Sequence, residues 1–276
     1  MKNFSKFIIL FDRAATTQVA FDPDAQLFID AELAAGVVLT KNQANAINQL
    51  VLDLKSANIW SKMKSIYPFI SNGATAQKFN LKDPRDLDAA FRLVFNGGGS
   101  HTSNGYQPNG VNGYANTFLI PSTSLTSSNN HLSIYNRTNT IGNFVDMGSY
   151  SAGSPFFYCL FYSRASSDSF LLANGSNTFP SVANTNSEGM YIISKLSAAN
   201  TSAYKNNTKI INAAASGTGI STQQIFIGAA NNGGTAGNFS NREIAFSSIG
   251  DGLTDAEALA YYNAVQTYQT TLGRQV

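Results

Sequence analysis

Cysteine is almost missing from this chain. The single Cys159, set in the apolar run 156–162, excludes an internal disulfide and reads as a small buried hydrophobe. Histidine is nearly as scarce: His101 and His131 stand thirty positions apart, and neither has Cys, Asp or Glu at metal-ligand spacing, so no metal site is expected. Charge is sparse as well. Only 12% of residues are charged, the formal net charge is +2, and no run of Lys or Arg marks a phosphate-binding face. Electrostatic attraction to nucleic acid or to an anionic membrane is therefore not expected, and the partner should be neutral or another protein. Within residues 97–250 the acids are only Asp146, Asp168, Glu188 and Glu243. Glycoside hydrolysis needs two carboxylates facing one bond, and the alternating E-x-D-x-x-E arrangement does not occur. No catalytic residue is assigned, and the chain is expected to be non-enzymatic. Long apolar runs are missing too: MKNFSKFIILF gives about five apolar residues before Asp12 and Arg13, too few for a signal core or a membrane span. Gly97-Gly98-Gly99-Ser100 lacks the Gly-Lys-Ser/Thr ending of a phosphate cradle, and no cofactor is expected.

What the chain does have is apolar content, 43% of 276 residues, enough for a substantial core. Residues 1–39 mix short apolar pieces with the turn signal Asp22-Pro23-Asp24 and read as an extension rather than a domain. Thr40 and Gln43 form a capping box, followed by Ile47, Leu50, Val51 and Leu54 at helical spacing, which predicts a helix over 41–55. Asn58 is read as the cap of a second helix through Trp60, Met63, Ile66 and Tyr67, stopped by Pro68. Near the end, Thr254 and Glu257 repeat the capping box, and Leu259, Tyr262, Val265, Tyr268 and Leu272 predict the apolar stripe of a closing helix ended by Gly273.

From about residue 85 the texture changes to short runs rich in Phe, Tyr, Ile and Val, each bounded by Gly, Asn or Ser. Many short strands with polar turns predict a mainly β fold, an antiparallel two-sheet jelly-roll sandwich. The alternation His131-Leu132-Ser133-Ile134-Tyr135-Asn136 is that of a strand with one buried and one wet face. The domain reading is thus 1–39 as an extension suited to anchoring or oligomerisation, 40–84 as a helical linker, and 85–276 as the sandwich with its helix.

The loop 103–116 places Tyr106 and Tyr114 among Asn109, Asn112 and several glycines. A neutral sugar is held by stacking on an aromatic ring and by amide hydrogen bonds, so Tyr106, Asn109 and Asn112, with Asn231 and Asn232 in a second Gly/Asn loop, are the candidate ligand-binding residues. The competing reading is that the Asn-Gly pairs only make turns and that Tyr114 packs in the core.

Residues 204–272, with Tyr-Lys-Asn-Asn-Thr-Lys, Ile225-Phe226-Ile227-Gly228, Glu243-Ile244-Ala245-Phe246 and Leu253-Thr254-Asp255-Ala256-Glu257, resemble the C-terminal end of concanavalin A-like (laminin G-like) jelly rolls. The segments 59–69 (IWSKMKSIYPF), 79–84 (FNLKDP), 108–115 (PNGVNGYA) and 248–253 (SIGDGL) are similar to virion structural proteins of phages, often those of Bacteroidetes hosts. That resemblance implies a surface-exposed virion protein made in the host cytoplasm: a fibre, tail or head-decoration component for host attachment. It further implies contacts to other virion proteins through the N-terminal segment, and homo-oligomers. Recognition of host surface polysaccharide as a carbohydrate-binding module is the alternative, and a polysaccharide-degrading enzyme is a second one.

Overall fold

The computed structural model describes residues 20–151, 157–175, 179–214 and 219–276. Three helices of real length frame the chain: α1 (Pro23–Ala34), α2 (Lys41–Ser56) and α5 (Asp255–Thr271), with the single turns α3 (Ala74–Gln77) and α4 (Pro121–Ser124) between them. Both predicted capping boxes are present. Thr40 accepts from the Gln43 amide while Gln43 accepts from the Thr40 amide, and Thr254 and Glu257 do the same for α5.

Seventeen strands follow in chain order among the described residues. The first eight are β1 (Met63–Tyr67), β2 (Val94–Asn96), β3 (Gly99–Thr102), β4 (Gly105–Pro108), β5 (Tyr114–Asn116), β6 (Asn130–Asn136), β7 (Met147–Ser151) and β8 (Phe157–Tyr162). Next come β9 (Ser169–Asn174), β10 (Ser181–Ala183), β11 (Gly189–Lys195), β12 (Asn200–Lys205), β13 (Thr208–Ala214), β14 (Phe226–Ile227), β15 (Ala230–Asn232), β16 (Thr235–Gly237) and β17 (Ile244–Gly250). One sheet runs β13-β12-β11-β6-β17-β4-β3, with β1 also paired to β17; the other runs β10-β9-β8-β7-β14-β5-β2 and carries the β15–β16 hairpin. Apart from the parallel pair β15–β7, neighbours are antiparallel. The fold is a mainly β, two-sheet sandwich of the jelly-roll kind.

Two cores hold it. Between the sheets lie Leu132, Ile134, Tyr191 and Ile193 against Met147, Phe161, Phe170 and Leu172. On the other face of the first sheet Tyr135, Met190, Ile192 and Phe246 meet α2 and α5 through Ile47, Leu50, Leu54, Tyr261, Val265 and Tyr268. This double cover corrects the wet face expected for 131–136: every residue of β6 is buried, because helices lie where solvent was expected. Two of its polar residues face that helical layer already satisfied, His131 bonding Ser248 and the Asp251 carbonyl, and Ser133 bonding Ser248 and Tyr261.

Three further expectations are revised. Asn58 does not cap a second helix; it ends α2 in the left-handed conformation (φ 58°), with Ile59 N–H donating to Leu54 O and Asn58 N–H to Lys55 O. That is a Schellman closure, which an Asn permits as well as a Gly does, and the chain leaves it through the 3₁₀ turn Trp60–Lys62 into β1. Asp22-Pro23-Asp24 is not a free turn but a helix start, with Asp22 accepting from the Asp24 amide and Pro23 at the first helical position. Ala25 and Phe28 of that helix enter the same core as α2 and α5; residues 1–19 of the expected anchoring extension lie outside the described residues. Finally, the buried stripe of α5 runs through Ala258, Tyr261, Ala264, Val265 and Tyr268, while Leu259 faces outward. The stripe is turned by one position because Tyr261 finds hydroxyl partners in Ser133 and Ser248 beneath it.

Candidate functional site

The sequence-derived ligand residues do not form one surface. Tyr106 is only 1% exposed, stacked on His101 (4.9 Å) and tilted against Phe95 (4.8 Å), which corrects its reading as a sugar platform: both neighbours cover ring area a ligand would need. Asn109 and Asn112 are exposed, but Asn109 Oδ1 accepts from the amides of Val111, Asn112 and Gly113, and Asn112 Oδ1 accepts from Gly98 N–H and Asn109 Nδ2. These contacts are the side-chain turn chemistry of the alternative reading. Asn231 is 2% exposed and is corrected in the same way, since it donates to Gln224 O and accepts from the Gly234 amide; Asn232 is exposed at the tip of the β15–β16 hairpin. No hydrogen bond among the described residues joins the 106–112 group to the 231–232 group.

Both histidines and the acids Asp146, Asp168 and Glu243 of the sandwich have structural partners. His131 is fully buried, with Nδ1 2.6 Å from the Asp251 carbonyl and Nε2 2.9 Å from Ser248 Oγ, so one nitrogen donates and the other accepts in the neutral ring. Burial pushes its pKa down to about 4. Asp146 and Arg242 form a pair at 2.8 Å with both side chains fully buried, and Glu243–Arg137 (2.6 Å) and Asp168–Arg164 (2.7 Å) are also paired.

A different site is built where the helical cover of the first sheet stops. Ser194 of β11, Ser202 of β12 and Asn212 of β13 are cross-strand neighbours, so their side chains form one row on the face that elsewhere packs against α5. In the next row toward the helix, Ile192 pairs with Tyr204, and Tyr204 with Lys209. Because α5 begins only at Asp255, the helix does not cover the last row: Ser194 is buried against Leu253, Ser202 is half-buried and Asn212 is exposed. The result is a pocket of about 220 Å³ floored by these hydroxyls and amides, with Asn200 and Ser197 at the rim and Asp255 closing one side. Tyr204 is its aromatic wall: its hydroxyl donates to Asp255 Oδ1 at 2.6 Å, and Lys209 Nζ lies 2.9 Å and 3.3 Å from the two Asp255 oxygens. These two donors, Tyr204 first, hold the Asp255 carboxyl below the usual carboxylate range. Burial, reinforced by Asp255, pushes the Tyr204 hydroxyl above its ordinary value. Ser194 Oγ both donates to Leu253 O and accepts from the Leu253 amide at 2.7 Å, which fixes the corner leading into α5. The pocket thus offers an ionised carboxylate, amide donors and acceptors, serine hydroxyls and a small apolar patch at Leu196. That set can hold a polyhydroxylated ligand by many directional bonds.

Sequence reasoning missed this site because its members are scattered from 194 to 255 and none belongs to a motif. The available signal was small: Ser, Tyr and Lys in β12–β13 at positions that should be apolar if the helix covered them.

No family model and no curated protein matches the sequence. Solved structures do match in shape. A mutant of Trypanosoma rangeli sialidase displaying trans-sialidase activity aligns at TM-score 0.54 and 10% identity, over 80% of this chain and 39% of that one. The receptor-binding domain of botulinum neurotoxin C/D mosaic serotype aligns at TM-score 0.50 and 8% identity, over 74% of this chain and 52% of that one. Domain 4 of AbnA, a GH43 extracellular arabinanase from Geobacillus stearothermophilus in complex with arabinotriose, aligns at TM-score 0.49 and 12% identity, over 72% of this chain and 98% of that one. At such identities the likeness is one of fold, and this chain spans well under two thirds of the sialidase. The chain shares a β-sandwich fold with the sialidase chain and the toxin domain.

These findings correct two expectations. The reading as a non-enzymatic bacteriophage structural protein, a fibre, tail or head-decoration component, is overturned: the matching folds belong to a sialidase and a toxin receptor-binding domain, and nothing in them points to a phage origin. The expectation that the chain is not an enzyme, drawn from the scarcity of paired carboxylates, is corrected with it, since this sandwich is found as part of a sialidase chain.

Proposed function

We propose that the protein binds carbohydrate through the pocket at the start of α5. The observation that carries this reading is that, beyond the buried Ser194, the row continues into half-buried Ser202 and exposed Asn212 beside the Tyr204–Lys209–Asp255 cluster. A sugar ring presents hydroxyls around its rim and C–H groups on its faces, and this pocket sets hydroxyl, amide and carboxylate partners around a small apolar patch. Its volume, about 220 Å³, is below the ~300–1,000 Å³ of pockets that enclose a drug-sized ligand, so it takes one ring with the rest of a chain outside. The shared fold with a sialidase and a toxin receptor-binding domain supports the reading without fixing the ligand.

Glycan-array screening of the full chain, followed by NMR titration of the best hit, tests it. Binding is expected, with the largest shift changes at residues 194–212 and 253–255, and Asn212→Ala should weaken it about tenfold, the value of one to two lost hydrogen bonds. Shift changes confined to the 97–113 loop would sink the assignment to this pocket.

A further inference from the structure

The charges lining the pocket carry the assignment one step further, resting on the carbohydrate reading above. We propose that the pocket selects a neutral sugar and rejects an acidic one such as a sialic or uronic acid.

Of the ten residues lining the pocket only Lys209 and Asp255 are charged. A ligand carboxylate would need a cation with free donors. Lys209 is the only cation there, and its ammonium is already engaged by both Asp255 oxygens, at 2.9 Å and 3.3 Å. An acidic sugar drawn to Lys209 would bring a second negative charge within one ammonium's width of Asp255, where like charges repel, most at low salt because both groups are open to solvent. The exposures point the same way: the Asp255 side chain is 69% exposed and that of Lys209 32%, so the charge an incoming ligand meets first is negative.

A neutral sugar meets no such conflict. Its hydroxyls can donate to the open lone pairs of Asp255, a charge-assisted bond stronger than one between neutral groups. The same hydroxyls accept from the amides of Asn200 and Asn212, both exposed. Leu196, 52% exposed, offers an apolar contact to a C–H face. Tyr204 keeps the Asp255 carboxylate in a fixed position through its 2.6 Å bond, so the acceptor is pre-set before the ligand arrives.

The test is a paired titration of the full chain at pH 7 and low salt with two oligosaccharide sets of equal length, one neutral and one ending in sialic or glucuronic acid. The neutral set should bind at least tenfold more tightly. Asp255→Asn should weaken neutral binding about tenfold and narrow the preference, because the repelling charge is gone and Lys209 is released. Asn212→Asp, an exposed strand position that does not support the core, should widen it. Circular dichroism of both variants checks that each is folded, and either one alone is sufficient for the comparison. Acidic oligosaccharides binding as tightly as neutral ones, or a preference unmoved by both substitutions, would overturn the selectivity while leaving sugar binding standing. Failure of both sets to bind would overturn the carbohydrate reading and the selectivity together.

Discussion

Glu32 gives the most demanding test of the helical layer. It sits on the buried side of α1 with Ala25 and Phe28, is 0% exposed, and neither carboxylate oxygen has a hydrogen-bond partner. Burial raises its pKa from 4.5 to about 9, opposed only by Lys78, whose ammonium is held by Asp86 at 2.5 Å. The folded protein therefore keeps a proton that the unfolded chain releases. For a group whose folded pKa lies above its unfolded value, the stabilising contribution is complete below 4.5 and is lost progressively as pH rises toward 9. Each pH unit in that window is worth about 1.4 kcal/mol, so holding the proton at pH 7 costs about 3.4 kcal/mol, a large share of the ~5–15 kcal/mol stability of a typical domain. Glu32→Gln keeps the shape and abolishes the titration. Urea denaturation of both proteins at pH 5, 6, 7 and 8 should show the variant gaining on the wild type by about 1.4 kcal/mol per unit. Taking the difference cancels the other carboxyls, among them Asp22, Asp83 and Asp86, whose pKa values are lowered and whose contributions are lost only in acid. A difference that stays flat from pH 5 to 8 would refute the reasoning, because it would mean that Glu32 reaches water or a partner in the folded state.

Two other substitutions probe what closes the sandwich. Asp146→Ala strands the Arg242 guanidinium, which also bonds Thr140 O and Arg164 O, and should cost about 3–5 kcal/mol by chemical denaturation, while replacing both partners by apolar residues should cost less than the two single changes together. Arg274, 1% exposed, donates to the carbonyls of Pro68, Phe69, Ser103 and Ala245 and to Gln269, tying the end of the chain to three distant segments; Arg274→Ala should cost about 3–5 kcal/mol and lower Tm by roughly 2–4 °C per kcal/mol.

Some local chemistry was legible in the sequence. The capping boxes at Thr40 and Thr254, the strand-rich texture after residue 85 and the buried Cys159 depend on neighbours a few positions away, and all three stand in the structure. What could not be read depends on how strands and loops are laid against one another. Asn58 offers the same side chain whether it starts a helix or ends one, and only the demand of β17 for the partner β1 decides between them. Tyr106 in a Gly/Asn loop looks like a ligand platform until β3 and Phe95 are laid over it. The polar row 194–202–212 is invisible in sequence because register, not spacing, aligns it.

The pocket is a consequence of how the sheet is covered. A strand buried on both faces must be apolar on both, and β11 obeys that rule at Met190 and Ile192, beneath the helices, but breaks it at Ser194. Extending the cover would require α5 to begin a turn earlier, over Gly250-Asp251-Gly252, yet those residues carry the corner whose carbonyl accepts from His131 and whose amide donates to Asn129. The helix start is therefore fixed by the buried hydrogen bonds that precede it, Ser194 is capped by Leu253 instead of a helix, and the outer part of the row, Ser202 and Asn212, is polar. Asp255 then serves two ends at once, favourable at the positive end of the helix dipole and exposed as an acceptor over the open row, so a change of charge there should register in helix stability and in ligand choice alike.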